Sequence, residues 1–300
     1  MDPGTREQFH KDSGLLDGQG ATLQVNGEIS VDSLALENEV IFEGDRLEPE
    51  FSDVPGQWGT IWLAPGSINN TVDHLTIRNA TVGILVEGRP AADPPTLQIA
   101  NSQIYNSGLV NLWGRNSSIA GENLVSGNAG NASFYGNLGG NYRFVHATFA
   151  NYWSNGPRTG AAIQLNNYEE ITGGASSSAD LTQAFFGNCI VAGNSSNEIF
   201  FNNNGVNTFS FNFDHCLIQF GSNTNDPLYD FQDPNLYNNI LLNGNPAFLD
   251  VVNQDFRLTP DSDAIGNANQ LLAQEVPSDL AGNDRTMAAD IGAWQYLPEE

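Results

Sequence analysis

Positively charged residues are scarce in this sequence. Its 300 residues include 10 Lys and Arg against 35 Asp and Glu, which gives a formal net charge of −25, and Lys11 is the only lysine. Proteins that bind nucleic acids neutralise phosphates with clustered Lys and Arg, and anionic membrane surfaces attract the same side chains. The composition therefore argues against a nucleic acid and against an anionic membrane surface as the partner.

Long apolar runs and cysteines are also lacking. No apolar stretch approaches the roughly 20 residues that cross a bilayer, so we expect no membrane insertion. The first residues show no charged start followed by an apolar segment, so no secretion signal is visible. Cys189 and Cys216 are too few for a disulfide scaffold, and we interpret them as two buried thiols. A disulfide between adjacent repeats is the alternative.

A short pattern recurs along the chain. Residues 97–104 (LQIANSQI) alternate apolar and other residues up to an Asn and a small residue, and residues 75–82 (LTIRNATV) have the same form. Looser copies occupy residues 142–149, 184–191 and 211–218. Stacked copies of such a unit bury a continuous core, which one copy cannot do. The pattern predicts an all-β right-handed parallel β-helix, with an antiparallel sandwich as the alternative.

One turn of the repeat carries a polar residue followed by a small one. These polar residues are Asn79, Asn101, Glu122, His146, Asn188 and His215. Asn tolerates left-handed backbone angles, and its amide can bond to its counterparts in neighbouring coils. We therefore predict a structural ladder that includes Asn79, Asn101, His146, Asn188 and His215, with His74 outside it. The ladder makes the histidines structural residues rather than catalytic ones.

The predicted solenoid covers residues 1–243, with a long insert at about 153–181. At roughly 22 residues per coil it would contain about ten to twelve coils. One interval of the ladder spans 42 residues, which requires a second coil or a long excursion. Residues 244–300 change character towards turns and acidic residues, and we predict that they cap the apolar end of the last coil.

The last residues also carry motifs in a fixed order. NPAF, QDFRL, SDAIG, DLAGNDR and DIGAWQY, within residues 245–296, resemble the C-terminal signature of secreted right-handed β-helix surface proteins of Bacteroidota. Residues 3–27 and 56–67 resemble the opening coil and a loop of that family, although Asp17 stands where an apolar residue is usual. The resemblance implies an extracellular or cell-surface location and an adhesin-like role.

Catalytic motifs are hard to find. A polysaccharide lyase needs a base and a cation that neutralises the uronate, but the arginines are scattered and Lys11 lies near the N-terminus. No two aspartates are adjacent, and no Cys/His cluster has zinc spacing. Carboxylates on neighbouring coils could still form an acid/base pair, so an enzyme remains an alternative.

Two groups of residues are candidates for binding. Aromatic rings beside polar side chains can stack on sugars, and the candidates are Trp58, Trp62, Trp113, Tyr152 and Trp153. Asp226, Asp230 and Asp233 cluster carboxylates that would suit Ca²⁺, the one cofactor that the sequence suggests. Solvated loop charge is the plainer interpretation of these aspartates.

Together these observations favour a non-catalytic, adhesin-like β-helix module that is monomeric and binds polysaccharide or surface glycan. A polysaccharide lyase or glycoside hydrolase on the same scaffold is the alternative, because a fold alone does not determine function. A purely structural spacer is the third possibility. The loops at 51–66 and 153–181 are the expected places for any chemistry.

Overall fold

The computed structural model describes residues 1–31, 35–171 and 175–298. It is nearly all-β, with 44% of residues in strands and 4% in helices, and most strands belong to one large parallel sheet. The predicted all-β class is therefore confirmed. None of the helices among the described residues is long and apolar enough to cross a bilayer.

The elements follow one another closely in the chain. The first strands are β1 (Arg6–Phe9), β2 (Leu15–Asp17), β3 (Gln24–Asn26), β4 (Val40–Gly44), β5 (Ile61–Leu63), β6 (Asn70–Asp73), β7 (Leu75–Arg78), β8 (Val82–Glu87), β9 (Leu97–Ser107), β10 (Val110–Ala129), β11 (Ala132–Val145) and β12 (Thr148–Asn151). They are followed by β13 (Ile163–Asn166), β14 (Tyr168–Ile171), β15 (Ala175–Ser178), β16 (Leu181–Gly187), β17 (Ile190–Gly193), β18 (Ile199–Asn202), β19 (Asn212–Asp214), β20 (Leu217–Ile218), β21 (Tyr237–Asn238), β22 (Leu241–Leu242), β23 (Phe248–Asp250) and β24 (Asp255–Leu258). The helices are two 3₁₀ turns, Pro49–Phe51 and Pro227–Tyr229, and α1 (Gln270–Glu275).

The parallel strands form three stacks, which the chain visits in the same order in successive passages. Stack A contains β2, β5, β8, the first parts of β10 and β11, β13 and β18. Stack B contains β3, β6, the first part of β9, the middle of β10, the second part of β11, β16, β19 and β21. Stack C contains β1, β4, β7, the ends of β9 and β10, β12, β17, β20 and β22. Within the described residues, stack C has nine members, so there are fewer passages than the predicted ten to twelve.

The long interval in the repeat is a single passage with an excursion. Strand β13, within the predicted insert, joins stack A. The chain then forms an antiparallel hairpin of β14 and β15 before it enters β16. The second strand of this hairpin, β15, begins at Ala175, and residues 172–174 lie outside the described residues.

The core lies between the three stacks and contains a ladder of aromatic rings. In stack B, Phe144, Phe186, Phe213 and Tyr237 are in register, and the Phe186 and Phe213 rings stack with their centroids 4.6 Å apart. On the preceding strand of stack B, β10, the residue aligned with Phe144 is Gly121. A Cβ atom at Gly121 would lie 2.5 Å from the Phe144 ring. Glycine at this position therefore makes room for the first ring of the ladder.

The turn from stack B to stack C carries the predicted ladder. The residues there are His74, Asn101, Asn123, His146, Asn188, His215 and Asn239, all with φ between 47° and 53°. The prediction is correct for Asn101, His146, Asn188 and His215. It is wrong for Glu122, because Asn123 occupies the turn, and for His74, which belongs to the ladder. Amide contacts link some neighbouring members, as in the 2.9 Å bond from Asn123 Nδ2 to Asn101 Oδ1.

Asn79 belongs to a second turn, from stack C to stack A. It lies there with Asn106 and Asn128, each five residues after a member of the first ladder, and all three have positive φ. Asn106 Nδ2 donates to Asn79 Oδ1 over 2.7 Å. The prediction that placed Asn79 in the first ladder is therefore wrong, because a passage through stack C can have a left-handed asparagine at either end, as Asn101 and Asn106 show.

The C-terminal segment, residues 244–298, packs along the side of the stacks. Phe256 and Ala293 form a cluster with Tyr105, Val125 and Ala150 of stack C. A second cluster joins Leu258, Ala264 and Ile291 to Ile190, Leu217 and Leu241, and a third joins Leu272 and Val276 to Val145. The sequence predicts an end cap here, whereas these contacts cover a flank of the sheet.

Candidate functional site

Two of the predicted sugar-stacking aromatics are buried. Trp58 has no exposed surface, its Nε1 donates to the carbonyl oxygen of Arg78 over 2.8 Å, and its ring stacks on Phe9 at 4.6 Å. Trp153 is 7% exposed. A buried ring cannot stack on an external sugar, so these two residues are packing residues and their prediction as binding residues is wrong.

Tyr152 is held by the C-terminal segment. Its ring contacts Phe248 and Phe256 with centroid distances of 6.1 and 6.3 Å. Burial raises the pKa of the Tyr152 hydroxyl to about 12. Through these contacts Tyr152 packs the C-terminal segment onto stack C, so its ring is not free to stack on a sugar.

The other two candidates, Trp62 and Trp113, belong to one row on the outer face of stack A. Side chains alternate between the two faces of a strand, so register partners on parallel strands form rows across the sheet. The row, which we call the outer row, consists of Leu16, Trp62, Leu85, Trp113, Tyr135, Gln164 and Phe200. Six steps of about 4.8 Å make it about 29 Å long.

The outer row is partly exposed to solvent. Leu16 is 64% exposed, Trp62 is 37% exposed and Phe200 is 51% exposed. Trp113 and Tyr135, in the middle of the row, are half-buried and stack on each other with centroids 5.5 Å apart. Apolar side chains that are exposed together in one patch are a feature of binding surfaces.

A polar row lies beside the outer row, two residues further along the strands. It consists of Glu87, Arg115, Asn137, Asn166 and Asn202. Glu87 joins the two rows, because its carboxylate accepts from Trp62 Nε1 at 2.7 Å and from Arg115 Nη1 at 3.2 Å. Polar groups beside exposed rings allow one surface to stack on a ligand and to hydrogen-bond it.

The hairpin of β14 and β15 forms a wall next to these rows. Arg115 Nη2 donates to Glu169 of the hairpin over 2.8 Å, and this hydrogen bond raises the pKa of Arg115. Between the hairpin and stack A lies a cavity of ≈ 270 Å³. Its lining consists of Tyr135, Asn137, Asn166 and Asn202 from stack A and of Tyr168, Glu169 and Glu170 from the hairpin.

Hydrogen-bonding capacity is left over at the floor of this cavity. The Tyr135 hydroxyl accepts from Asn137 Nδ2 at 2.9 Å and from Asn166 Nδ2 at 2.8 Å. Asn137 is 3% exposed, and its Oδ1 has no partner among the described residues. If the amide were rotated, its NH₂ group would lose the partner instead, so either orientation leaves one polar atom of Asn137 unused.

The three aspartates suggested for Ca²⁺ bond to their own loop. Asp226 accepts from the backbone N–H of Leu228, Asp230 from that of Gln232 and Asp233 from that of Asn235, all at 2.9–3.0 Å. No three His, Cys, Asp or Glu side chains within residues 1–31, 35–171 and 175–298 come together as ligands for one metal ion. The observed contacts are those of turn-stabilising aspartates.

Both cysteines and two of the four histidines make contacts within the fold. Cys189 and Cys216 are free, buried thiols in neighbouring coils, with the Cys189 N–H 3.3 Å from Cys216 Sγ. His146 has no exposed surface, whereas His215 is half-buried and pairs with Asp214 at 2.8 Å. None of these four residues lines the cavity beside the hairpin.

The sequence analysis missed Tyr135, Asn137, Asn166 and Glu169. The alternation of strand residues was visible, but the register that aligns Trp113 with Tyr135 depends on coil lengths that vary along the chain. The hairpin wall lies within residues 153–181, one of the two segments in which the sequence predicts any chemistry to lie. In comparisons with protein-family models, curated protein sequences and solved structures, the chain shows no significant match.

Proposed function

We propose that the chain is a right-handed parallel β-helix module that binds a glycan chain on the outer face of stack A and does not cleave it. The observation that carries this proposal is the outer row, about 29 Å of partly exposed side chains in register, six of whose seven members are rings or aliphatic groups. The polar row beside it supplies amides and charged groups that can bond sugar hydroxyls. An elongated row on an open face suits a polymer better than a compact small molecule.

The proposed right-handed β-helix is supported by observations other than the outer row. Three stacks visited in a constant order are what a chain winding as a solenoid produces. Connections between parallel strands of one sheet are right-handed in nearly all proteins, which favours the right-handed form. The resemblance to β-helix surface proteins of Bacteroidota favours an extracellular, adhesin-like module.

A polysaccharide-active enzyme is the second candidate. Glu169 and Glu170 beside the cavity are the observation that favours it, because glycosidases act with paired carboxylates. However, Glu169 and Glu87 both bond to Arg115, so the uronate of a lyase substrate would have to compete with two carboxylates for this cation. This arrangement favours binding over turnover.

A panel of soluble polysaccharides tests both candidates. Binding would be measured by affinity electrophoresis and calorimetry, and turnover by reducing ends and by the absorbance of unsaturated products. Trp62→Ala should weaken binding about tenfold, since the contribution of a stacked ring is about 1.4 kcal/mol. Met287→Ala is the matched control, because this side chain is 90% exposed and lies outside the row.

Two results would count against the proposal. Equal binding by wild type and Trp62→Ala would show that the outer row does not carry the ligand. Product formation from any member of the panel would show that the chain is an enzyme. Circular dichroism of each variant would establish that the fold is retained.

A further inference from the structure

We propose that the cavity between the β14–β15 hairpin and stack A selects an uncharged, hydroxyl-rich sugar and discriminates against uronic acids. This inference rests on the proposed function, since it names the class of glycan that the same face would take. It is carried by three observations at the cavity: an unused buried polar group, a neutralised arginine and two carboxylates in the wall.

A buried polar atom without a partner in the cavity favours the binding of a ligand that forms a hydrogen bond to it. A polar atom that is buried without a partner destabilises the protein, and a ligand group that bonds to it removes that cost. Asn137 is such a residue, with 3% exposure and one polar atom without a partner among the described residues. A sugar hydroxyl can donate as well as accept, so it suits Asn137 in either amide orientation.

Tyr135 adds a second contact of the same kind. Its oxygen already accepts from the amides of Asn137 and Asn166, which leaves the O–H hydrogen to be donated. None of the described residues accepts this hydrogen. A hydroxyl group seated above Tyr135 and Asn137 could accept from the phenol and donate to the amide oxygen, which a single sugar hydroxyl can do at once.

The charges around the cavity exclude an acidic sugar. Glu169 and Glu170 line the wall, and the nearest guanidinium, that of Arg115, contacts both Glu87 and Glu169. A uronate would therefore meet carboxylates and would have to compete for a cation that is already paired. Burial of a charged group without a partner is unfavourable, whereas a neutral sugar carries no such cost.

The size of the cavity agrees with one sugar unit rather than a whole oligosaccharide. Its volume of ≈ 270 Å³ lies near the lower end of the roughly 300–1,000 Å³ of small-molecule pockets. The outer row extends beyond the cavity along stack A. Neighbouring sugar units would therefore stack on the rings of the row while one unit binds in the cavity.

The test compares three classes of polymer on the full chain. Neutral mannan, xylan and galactan, acidic polygalacturonate and alginate, and cationic chitosan would be titrated at low and at high salt. We expect binding to at least one neutral polymer, with an affinity that changes less than twofold with salt, because no ion pair forms. Binding to the acidic polymers should be at least tenfold weaker.

Two variants connect the selectivity to the cavity. Tyr135→Phe and Asn137→Ala should each weaken binding to the neutral polymer about three- to tenfold, the range expected for loss of one hydrogen bond. Tyr296→Phe, in the C-terminal segment, is the matched control for the loss of a hydroxyl. Thermal melting of each variant would separate a binding defect from a folding defect.

The outcomes distinguish this inference from the proposed function. Binding to an acidic polymer that Trp62→Ala weakens would leave the glycan-binding face intact and overturn the neutral selectivity. Salt-sensitive binding to chitosan alone would show that the carboxylates attract cations and would also overturn it. If no polymer binds, the proposed function itself fails.

Discussion

Replacement of His146 by asparagine should make the stability of the protein less sensitive to acid. His146 lies on the ladder between stacks B and C, and asparagine is the residue at four other members of that ladder. The side chain has no exposed surface and lies against Gly292 of the C-terminal segment. The substitution therefore keeps the turn and removes only the imidazole.

The hydrogen bonds around His146 require its neutral form. Asn188 Oδ1 accepts from the backbone N–H of Asn269 at 2.7 Å, which fixes the orientation of the amide. Asn188 Nδ2 then donates to His146 Nε2 at 2.9 Å, so this nitrogen must be unprotonated. Nδ1 carries the proton and donates to the carbonyl oxygen of Gly292 at 3.3 Å. Burial, together with the charge of Arg285, lowers the pKa of His146 well below its usual value.

The sign and size of the effect follow from proton linkage. In the unfolded chain the pKa of a histidine is about 6.5, so below that pH the unfolded state takes up a proton that the folded state does not. Stability therefore falls as the pH falls through and below about 6.5. Between pH 7.5 and 5.5 the loss from one such histidine is about 1.4 kcal/mol, which His146→Asn should abolish.

Urea unfolding of wild type and His146→Asn at the two pH values measures this difference. His215→Asn is the matched control, because it changes the same residue type on the same ladder, where the imidazole is half-buried and pairs with Asp214. If wild type and His146→Asn lost the same stability on acidification, His146 would not be neutral in the folded state, and the hydrogen-bond assignment would be wrong.

Three further predictions concern the core, the thiols and calcium. Phe186→Ala should lower the free energy of unfolding by about 3–5 kcal/mol, since it removes a fully buried ring from the middle of the aromatic ladder; a loss below about 1 kcal/mol in urea unfolding would contradict that packing. Iodoacetamide should modify Cys189 and Cys216 only after unfolding, because both are buried and burial raises the pKa of the Cys216 thiol; mass spectrometry that finds no modification of the unfolded chain without reductant would indicate a disulfide instead. The melting temperature should be the same in calcium and in EGTA, because Asp226, Asp230 and Asp233 already bond to their own backbone; stabilisation by calcium would restore the metal hypothesis.

The repeat could be read from the sequence because it depends on local chemistry. Asn101 and Asn188 take left-handed angles that few other residues tolerate, and the apolar alternation before them defines the core face. The phase of the ladder was harder to assign. A passage through stack C can have left-handed asparagines at both ends, five residues apart, such as Asn101 and Asn106, so Asn79 could be assigned to either turn.

The candidate site could be predicted only in part. Aromatic residues were a useful signal, but Trp58 and Trp62 lie four positions apart on one segment and differ completely in exposure. The sequence does not show which of them faces outward, because a loop before β5 shifts the alternation. The alignment of Trp113 with Tyr135 depends on the number of residues between successive strands of stack A. The contact of Glu169 with Arg115 depends in the same way on the length of the segment that leads to the hairpin.

The position of the C-terminal segment affects how the stacked strands should respond to stress. In a solenoid whose coils touch only their neighbours, stability is a sum of nearest-neighbour terms and coils can fray one at a time from an end. Here one segment contacts six strands of stack C, from Tyr105 in β9 to Leu241 in β22. Detachment of a single coil would also disturb contacts that several others share. Because the segment links these strands to one another, we expect them to unfold cooperatively rather than one at a time.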